Sequence, residues 1–224
     1  MITTILIILS VLISYLIGSI SNGVLVGKIF YGVDIRTLGS HNSGGTNTGR
    51  VLGKKAGLIT IILDALKSIV SIAIVYLVCL IPYIKENLTI DSSIICYICA
   101  FSCCIGHCYP IFFNFKGGKI VACLAGICII TNWILTLIGL VVFFIILILT
   151  KYVSLSSIIT SICLFIFTFI PFVQHGMILN LSFGLPYSIF MGTICLLLIV
   201  RHHANIKRLF KGEESKIKWL SRNK

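Results

Sequence analysis

Apolar residues run along this chain in long blocks, separated by short stretches rich in Gly, Ser, Asn, Lys and Arg. The blocks predict seven membrane-spanning helices, at roughly 2–26, 57–80, 92–113, 118–132, 134–150, 156–174 and 184–202, with ends good to about four residues. The fourth and fifth are short for a span of about 20 residues, and one long helix through "TNW" at 131–133 is the alternative. No heptad, low-complexity tract or internal repeat is visible.

Charge decides between these topologies. With seven spans and an external N-terminus, the inner loops collect Lys28, Arg36, Arg50, Lys54, Lys55, Lys116, Lys119, Lys151 and every basic residue from Arg201 onward. Lys85 alone falls outside, and Lys67 lies within a span. Merging the fourth and fifth spans puts Lys151 and the basic C-terminus opposite the 28–55 loop, against the tendency of Lys and Arg to stay inside. The expectation is an all-α integral membrane protein, a bundle of seven transmembrane helices with the N-terminus outside and the C-terminus cytosolic.

Composition agrees. The chain has 224 residues, 58% hydrophobic and 11% charged, against about 25% charged in soluble domains. We expect one membrane-embedded domain over 1–205 and a basic cytosolic tail over 206–224. That tail interleaves Leu, Phe and Trp with its cations, which fits either an anionic leaflet or a solvated extension. The first segment lacks a basic start and stays apolar to about Val26, so it is expected to be retained as a span. The ten cysteines lie mostly in apolar runs, where Cys behaves as a small hydrophobe. "CCIGHC" at 103–108 matches no standard zinc spacing.

Four polar stretches fall on the predicted cytosolic face: "GSHNSGGTNTGR" at 39–50, "FKGGK" at 115–119, "SLSS" at 154–157 and "RHHANIKR" at 201–208. The first offers glycine backbone, hydroxyls, amides and a guanidinium, the donors of an anion cradle, although a flexible loop has the same composition. The second joins glycines and cations at a helix start, which attracts phosphate; snorkelling lysines are the plain alternative. The serines of the third fit N-capping as well as binding. In the fourth, His202 and Asn205 are three apart, so an amide could orient an imidazole on one helical face. None of the six acidic residues lies in these stretches, which disfavours a carboxylate-bound metal or a paired-carboxylate mechanism. Asp64 and Lys67, at helical spacing within a span, read as a structural ion pair near the inner boundary, with a role in the site as the alternative. "GGTNTGR" only partly resembles a Walker pattern, because Arg50 and Val51 replace its Lys and hydroxyl residue.

Together, "GSISNGVLVGKIFYGVDIRTLGSHNSGGTNTGRVLGKKAGL", "DALK", "GHCYPIFFNFKGGKIVA", "YVSLSS" and "HHANIKRLFKGEE" resemble the acyl-phosphate:glycerol-3-phosphate acyltransferases of bacteria, the PlsY family, over nearly the whole chain. The resemblance implies seven helices in the cell membrane, an active site facing the cytosol, and acyl transfer from acyl phosphate to the 1-hydroxyl of glycerol 3-phosphate. The products are lysophosphatidic acid and phosphate. It implies no metal and no cofactor. Expected partners are acyl phosphate, glycerol 3-phosphate, membrane lipids and an acyl-phosphate-forming enzyme, with no nucleic acid. By the same resemblance, Ser40, Asn47, Arg50, Gly117, Gly118, Lys119, Ser156, Ser157, His202 and Asn205 bind substrate, with His202, Asn205 and Lys119 catalytic. Glu213 or Glu214 takes a structural acidic position.

Four positions depart from the family pattern, which usually has Gly at His41, Ala at Gly45, Gly at Ile120 and Thr at Cys123. Ile120 follows Lys119, where a β-branched residue resists a positive φ and its side chain is expected to stand between backbone and phosphate. Two rival readings remain at this point: a transporter for an anionic metabolite, and a catalytically weakened lipid-binding paralogue. The clustering of polar residues at one edge and the lack of a repeat weigh against the first.

Overall fold

The computed structural model describes residues 2–217, and those residues are helical apart from connecting loops and turns. Lys218, Trp219, Arg222 and Lys224 of the expected tail lie outside the described residues. The chain divides into two compact units, Met1–Thr131 with Asn180–Ser182, and Asn132–Leu179 with Phe183–Lys224.

The first unit holds α1 (Ile2–Gly18), α2 (Asn22–Tyr31), α3 (Gly45–Leu52), α4 (Lys54–Cys79), α5 (Pro82–Glu86), α6 (Ser92–Cys108) and α7 (Val121–Thr131). Helix α4 packs on α1, α2, α3, α6 and α7, and α1 also packs on α6. Small residues allow the α1–α6 crossing: a Cβ on Gly18 would collide with the Cys103 carbonyl, and one on Gly106 with the Tyr15 carbonyl. In lipid, close approach of this kind takes the place of hydrophobic exclusion as a source of helix affinity.

The first predicted span extends beyond 26 to Tyr31 and is broken at Ser19–Ser21. A break at membrane depth leaves carbonyls without helical partners, and they must be satisfied by protein. Lys67 does this, its Nζ donating to the carbonyls of Gly18 at 2.9 Å and Ile20 at 2.7 Å. The expected Asp64–Lys67 ion pair is present at 3.1 Å, with both side chains at most 5% exposed. Asn22 at the start of α2 donates to Asp64 at 2.9 Å. The polar groups within the span therefore stitch α1, α2 and α4 together.

The second unit holds α8 (Trp133–Thr150), α9 (Val153–Phe167), α10 (Leu185–Arg201) and α11 (His203–Phe210), with α9 packed on α8, α10 and α11. The fourth and fifth predicted segments are two helices, α7 and α8. Asn132 separates them in an extended conformation, and its side chain caps α8 by accepting from Leu135 N at 2.9 Å.

Among the described residues, Ile2–Tyr31, Lys54–Cys79, Ser92–Phe113 and Trp133–Thr150 are long and apolar enough to cross a membrane. Helices α10 and α11, bent by 58° at His202, pass the same test only when taken together, which makes five if the pair is one span. Helices α7 and α9 have 11 and 15 residues, or roughly 16 and 22 Å at 1.5 Å per residue, short of a hydrocarbon core about 30 Å thick. The protein is an all-helical membrane protein.

Candidate active site

The first polar stretch is half loop and half helix. Asn42 Oδ1 accepts from Gly44 N at 2.9 Å, which turns the chain into the amphipathic helix α3. Asn47 is the hub of this turn. Its Oδ1 accepts from Ser40 N at 2.8 Å and Ser40 Oγ at 3.1 Å, and its Nδ2 faces the carbonyls of Ile35, Leu38 and Asn42 at 2.9–3.1 Å. Asn47 is 1% exposed. The resemblance implies a substrate contact here; in the structure the amide bonds within the loop and holds Ser40. Ser40 and Arg50 are exposed, and Arg50 lies in the last turn of α3.

The second stretch meets the first. Arg36, paired with Asp34 through Nη2 at 2.7 Å and Nε at 3.0 Å, donates from Nη1 to Phe113 O at 2.6 Å. Asn42 Nδ2 reaches Gly117 O at 3.4 Å. The Arg36 guanidinium holds the Asp34 carboxyl below the usual carboxylate range. Gly117 and Gly118 are buried, and Lys119 is half-buried just before α7. Gly118 N donates to the His107 carbonyl at 2.9 Å, so this N–H is turned inward and does not serve as the expected phosphate donor.

Ile120 has φ 55° and is fully buried, and His41 has φ 57° and is exposed. Both positions at which the family usually has Gly thus carry the left-handed backbone that Gly favours. The Ile120 side chain lies in the core, so it does not shield the phosphate side of the loop as expected. Relief of the left-handed strain is worth about 1–2 kcal/mol, whereas deleting a buried Ile costs about 2–5 kcal/mol. Ile120→Gly is therefore expected to lower the thermal midpoint, while His41→Gly, which gives up only the ring contact to Arg36 O at 3.0 Å, changes stability by no more than about 1 kcal/mol. Melting both variants in one detergent checks this, and a stabilised Ile120→Gly would overturn it. At the third departure, an Ala at Gly45 would press on Ile61 and on the Gly57 carbonyl. At the fourth, the buried Cys123 thiol lies 3.5 Å from Asp64 O.

In the second unit the third and fourth stretches meet at Glu214. Its Oε1 accepts from Ser154 Oγ at 2.8 Å and Asn205 Nδ2 at 2.6 Å, and its Oε2 from Arg208 Nε at 2.7 Å. Ser156 and Ser157 are buried and donate to the Tyr152 and Val153 carbonyls four residues back, both at 2.8 Å. Neither serine caps α9, which begins at Val153 without a side-chain cap.

His202 sits at the bend between α10 and α11 and caps the helix that carries Asn205, its carbonyl accepting from Ile206 N at 2.9 Å. Its Nδ1 lies 2.8 Å from Leu198 O. A carbonyl can only accept, so Nδ1 donates and Nε2 is the basic nitrogen of the neutral ring. The Leu198 carbonyl fixes this tautomer. Asn205 is held by Glu214, and the expectation of a structural acidic residue resolves to that position.

Burial raises the Glu214 pKa, but donation from Asn205, Ser154 and Arg208 outweighs it and holds the carboxylate below the ordinary value. Stability from a lowered carboxylate is fully present above its unfolded pKa, about 4.3, and is lost as pH falls through the folded value. Wild-type protein is thus expected to lose thermal stability on acidification below about pH 4.3, and Glu214→Gln to show a smaller loss over that interval. Parallel acid slopes in the two proteins would remove Glu214 as a source.

The sequence showed His202, Asn205 and the acidic position. It did not show Ser154 and Arg208 as partners of Glu214, or Arg36 and His107 as partners of the glycine loop. Arg36 looked like another cytosolic cation, and His107 like part of a cysteine-rich helix. The signal that was available is the placement of "VDIR" and "GHC" within the resembling stretches.

The family described as glycerol-3-phosphate acyltransferase matches residues 8–212. Relatives of that name include one from Staphylococcus haemolyticus (strain JCSC1435), 42% identical over 217 residues, with 96% of this chain and 100% of the relative covered. Another, from Staphylococcus carnosus (strain TM300), is 44% identical over 220 residues, with the same coverage. Among solved structures, crystal forms of PlsY (YgiH), an integral membrane glycerol 3-phosphate acyltransferase, are similar over 96% of both chains. The glycerol 3-phosphate form has 33% identity and a TM-score of 0.79, and the lysophosphatidic acid form 32% and 0.78. Matched over residues 8–212 and more than 40% identical to these relatives along nearly its whole length, this chain belongs to the glycerol-3-phosphate acyltransferase family.

Proposed function

We propose that this protein transfers an acyl group from acyl phosphate to the 1-hydroxyl of glycerol 3-phosphate, releasing lysophosphatidic acid and phosphate. The observation that carries this reading is the match, over 96% of both chains, to an acyltransferase solved in glycerol 3-phosphate and lysophosphatidic acid forms. The donor is already activated, so no enzyme-bound acyl intermediate is needed. The glycerol hydroxyl oxygen attacks the acyl carbon, the bond from that carbon to the phosphate oxygen breaks, and the hydroxyl proton passes to His202 Nε2 or to a phosphate oxygen of the substrate. Arg50 and Lys119 neutralise phosphate charge, Arg50 by paired N–H donors. Ser40, whose hydroxyl donates to Asn47 Oδ1 at 3.1 Å, gives that proton to a substrate oxygen by exchanging partners. Ser156 and Ser157 act as donors only after exchanging their helix carbonyls for substrate oxygens.

The same reading assigns residues 1–205 to one acyltransferase domain and 206–224 to a basic tail, with seven spans in the bacterial cell membrane, an external N-terminus and reaction at the cytosolic face. The distribution of Lys and Arg supports this orientation. Membrane lipids surround the chain, and an acyl-phosphate-forming enzyme supplies the donor. One experiment tests activity and sidedness together. Sealed inverted vesicles carrying the protein and acyl phosphate should convert added glycerol 3-phosphate to lysophosphatidic acid, and right-side-out vesicles should not until they are permeabilised. No product in either orientation after permeabilisation would reject the reaction. Equal product in both sealed preparations would reject the sidedness.

A further inference from the structure

His107 takes no part in the chemistry above, yet it is built into the glycine loop. It lies in the last turn of α6, 6% exposed. Its carbonyl accepts from Gly118 N at 2.9 Å. The three atoms nearest to a Cβ placed on Gly118 are all in the His107 ring, Nε2, Cε1 and Cδ2, with the last two at 2.7 and 3.0 Å. A Cβ on Gly117 would strike the His107 carbonyl. These glycines do not have positive φ. Gly is required here because the loop is moulded against one histidine.

The other side of the ring packs toward a buried ion pair. His107 Nδ1 faces Asp64 Oδ1 at 3.6 Å, and that same oxygen is held by Lys67 at 3.1 Å and Asn22 at 2.9 Å. The ring cannot retreat from Gly118 without disturbing a buried ion pair that also secures the α1–α2 break. A rigid wall stands behind the residue that precedes Lys119.

We infer that His107 is a positioning residue for the phosphate-binding loop: seated on the Asp64–Lys67 pair, its ring sets the backbone path through Gly117 and Gly118 and so the placement of Lys119. The inference rests on the acyl-transfer reading, in which Lys119 meets a substrate phosphate. The shared ligand chemistry is a phosphate monoester dianion or an acyl phosphate, and the two substrates' KM values tell them apart. Placement of a ground-state phosphate contact acts on KM, because binding lost equally from substrate and transition state leaves kcat alone.

The test is a double-mutant cycle. Gly118→Ala in the parent should raise the KM for one of the two substrates at least tenfold, with kcat changed less than threefold. In a His107→Ala background the added methyl has the space of the missing ring, and the same substitution should raise that KM less than threefold further. His107→Asn provides a second background if His107→Ala folds poorly, since it keeps a polar group toward Asp64 and vacates the ring volume. Equal penalties for Gly118→Ala in both backgrounds would overturn the inference. So would a fall in kcat and thermal stability with both KM values unchanged, which is the signature of a purely architectural residue. An inactive parent would sink the acyl-transfer reading instead. The coupling would then be decided by binding of inorganic phosphate to the same four proteins, where additive losses would refute it.

Discussion

Lys67→Met, with Asp64 left in place, is expected to destabilise the fold by about 3–5 kcal/mol, the cost of stranding one member of a buried ion pair. Both side chains are nearly inaccessible, at 5% and 2% exposed, so solvent screening gives little relief. The loss has a second source. Lys67 Nζ also serves the Gly18 and Ile20 carbonyls at the break between α1 and α2, and methionine leaves both without that donor in a region where water is scarce. The two sources can be separated. Lys67→Met combined with Asp64→Asn removes the stranded charge but not the carbonyl defect, so it should recover part of the stability and not all of it. Thermal midpoints in a single detergent measure the series. A Lys67→Met protein within about 0.5 kcal/mol of the parent, the usual range for surface substitutions, would show that the pair is not structural.

Asp64 and Lys67 also illustrate what sequence alone makes legible. Their spacing on one helix announces the pair, because i and i+3 share a face. Their connection to Gly18, Ile20, Asn22 and His107 depends on how α1, α2 and α6 meet α4, which no local pattern encodes. The helices themselves were largely visible, since apolar blocks declare membrane segments. The break at Ser19–Ser21 was hidden, because flanking apolar residues masked a short polar interval whose carbonyls are satisfied from another helix. The site residues divide in the same way. Ser40, Arg50, Lys119 and His202 stood out as donors, cations or a base in polar surroundings. The partners that give Ser40, His202 and Asn205 their geometry, which are Asn47, Leu198 O and Glu214, act through contacts four or more residues away. Ile120 was legible as a departure but not in its consequence. Its positive φ fits the expectation of a glycine position, while its full burial reverses the balance of the substitution.

Lys119→Ala and Arg50→Ala should each lower acyl transfer about 10–10²-fold in kcat/KM, as expected when a charge-assisted contact to phosphate worth about 1.5–3 kcal/mol is removed. Both substrates carry phosphate, and the site must offset that charge while the acyl–phosphate bond breaks. Arg50 is exposed at the end of α3, and its neighbourhood is organised by Asn47 and Asn42, not by its own side chain. Its removal should therefore leave thermal stability within about 0.5 kcal/mol of the parent. Arg50→Lys separates charge from geometry. It retains a cation but not the planar pair of donors, so it should recover less than full activity if Arg50 grips phosphate through two N–H groups. Lys119 differs in that its backbone belongs to the loop fixed by Gly118 and His107, so Lys119→Arg tests placement: the longer, planar group should restore charge without restoring the rate. Turnover is measured by phosphate release at subsaturating substrate, on the same preparations used for melting. If either alanine variant retains near-parental kcat/KM while remaining folded, that residue is not the phosphate partner, and the charge offset must come from elsewhere on the chain.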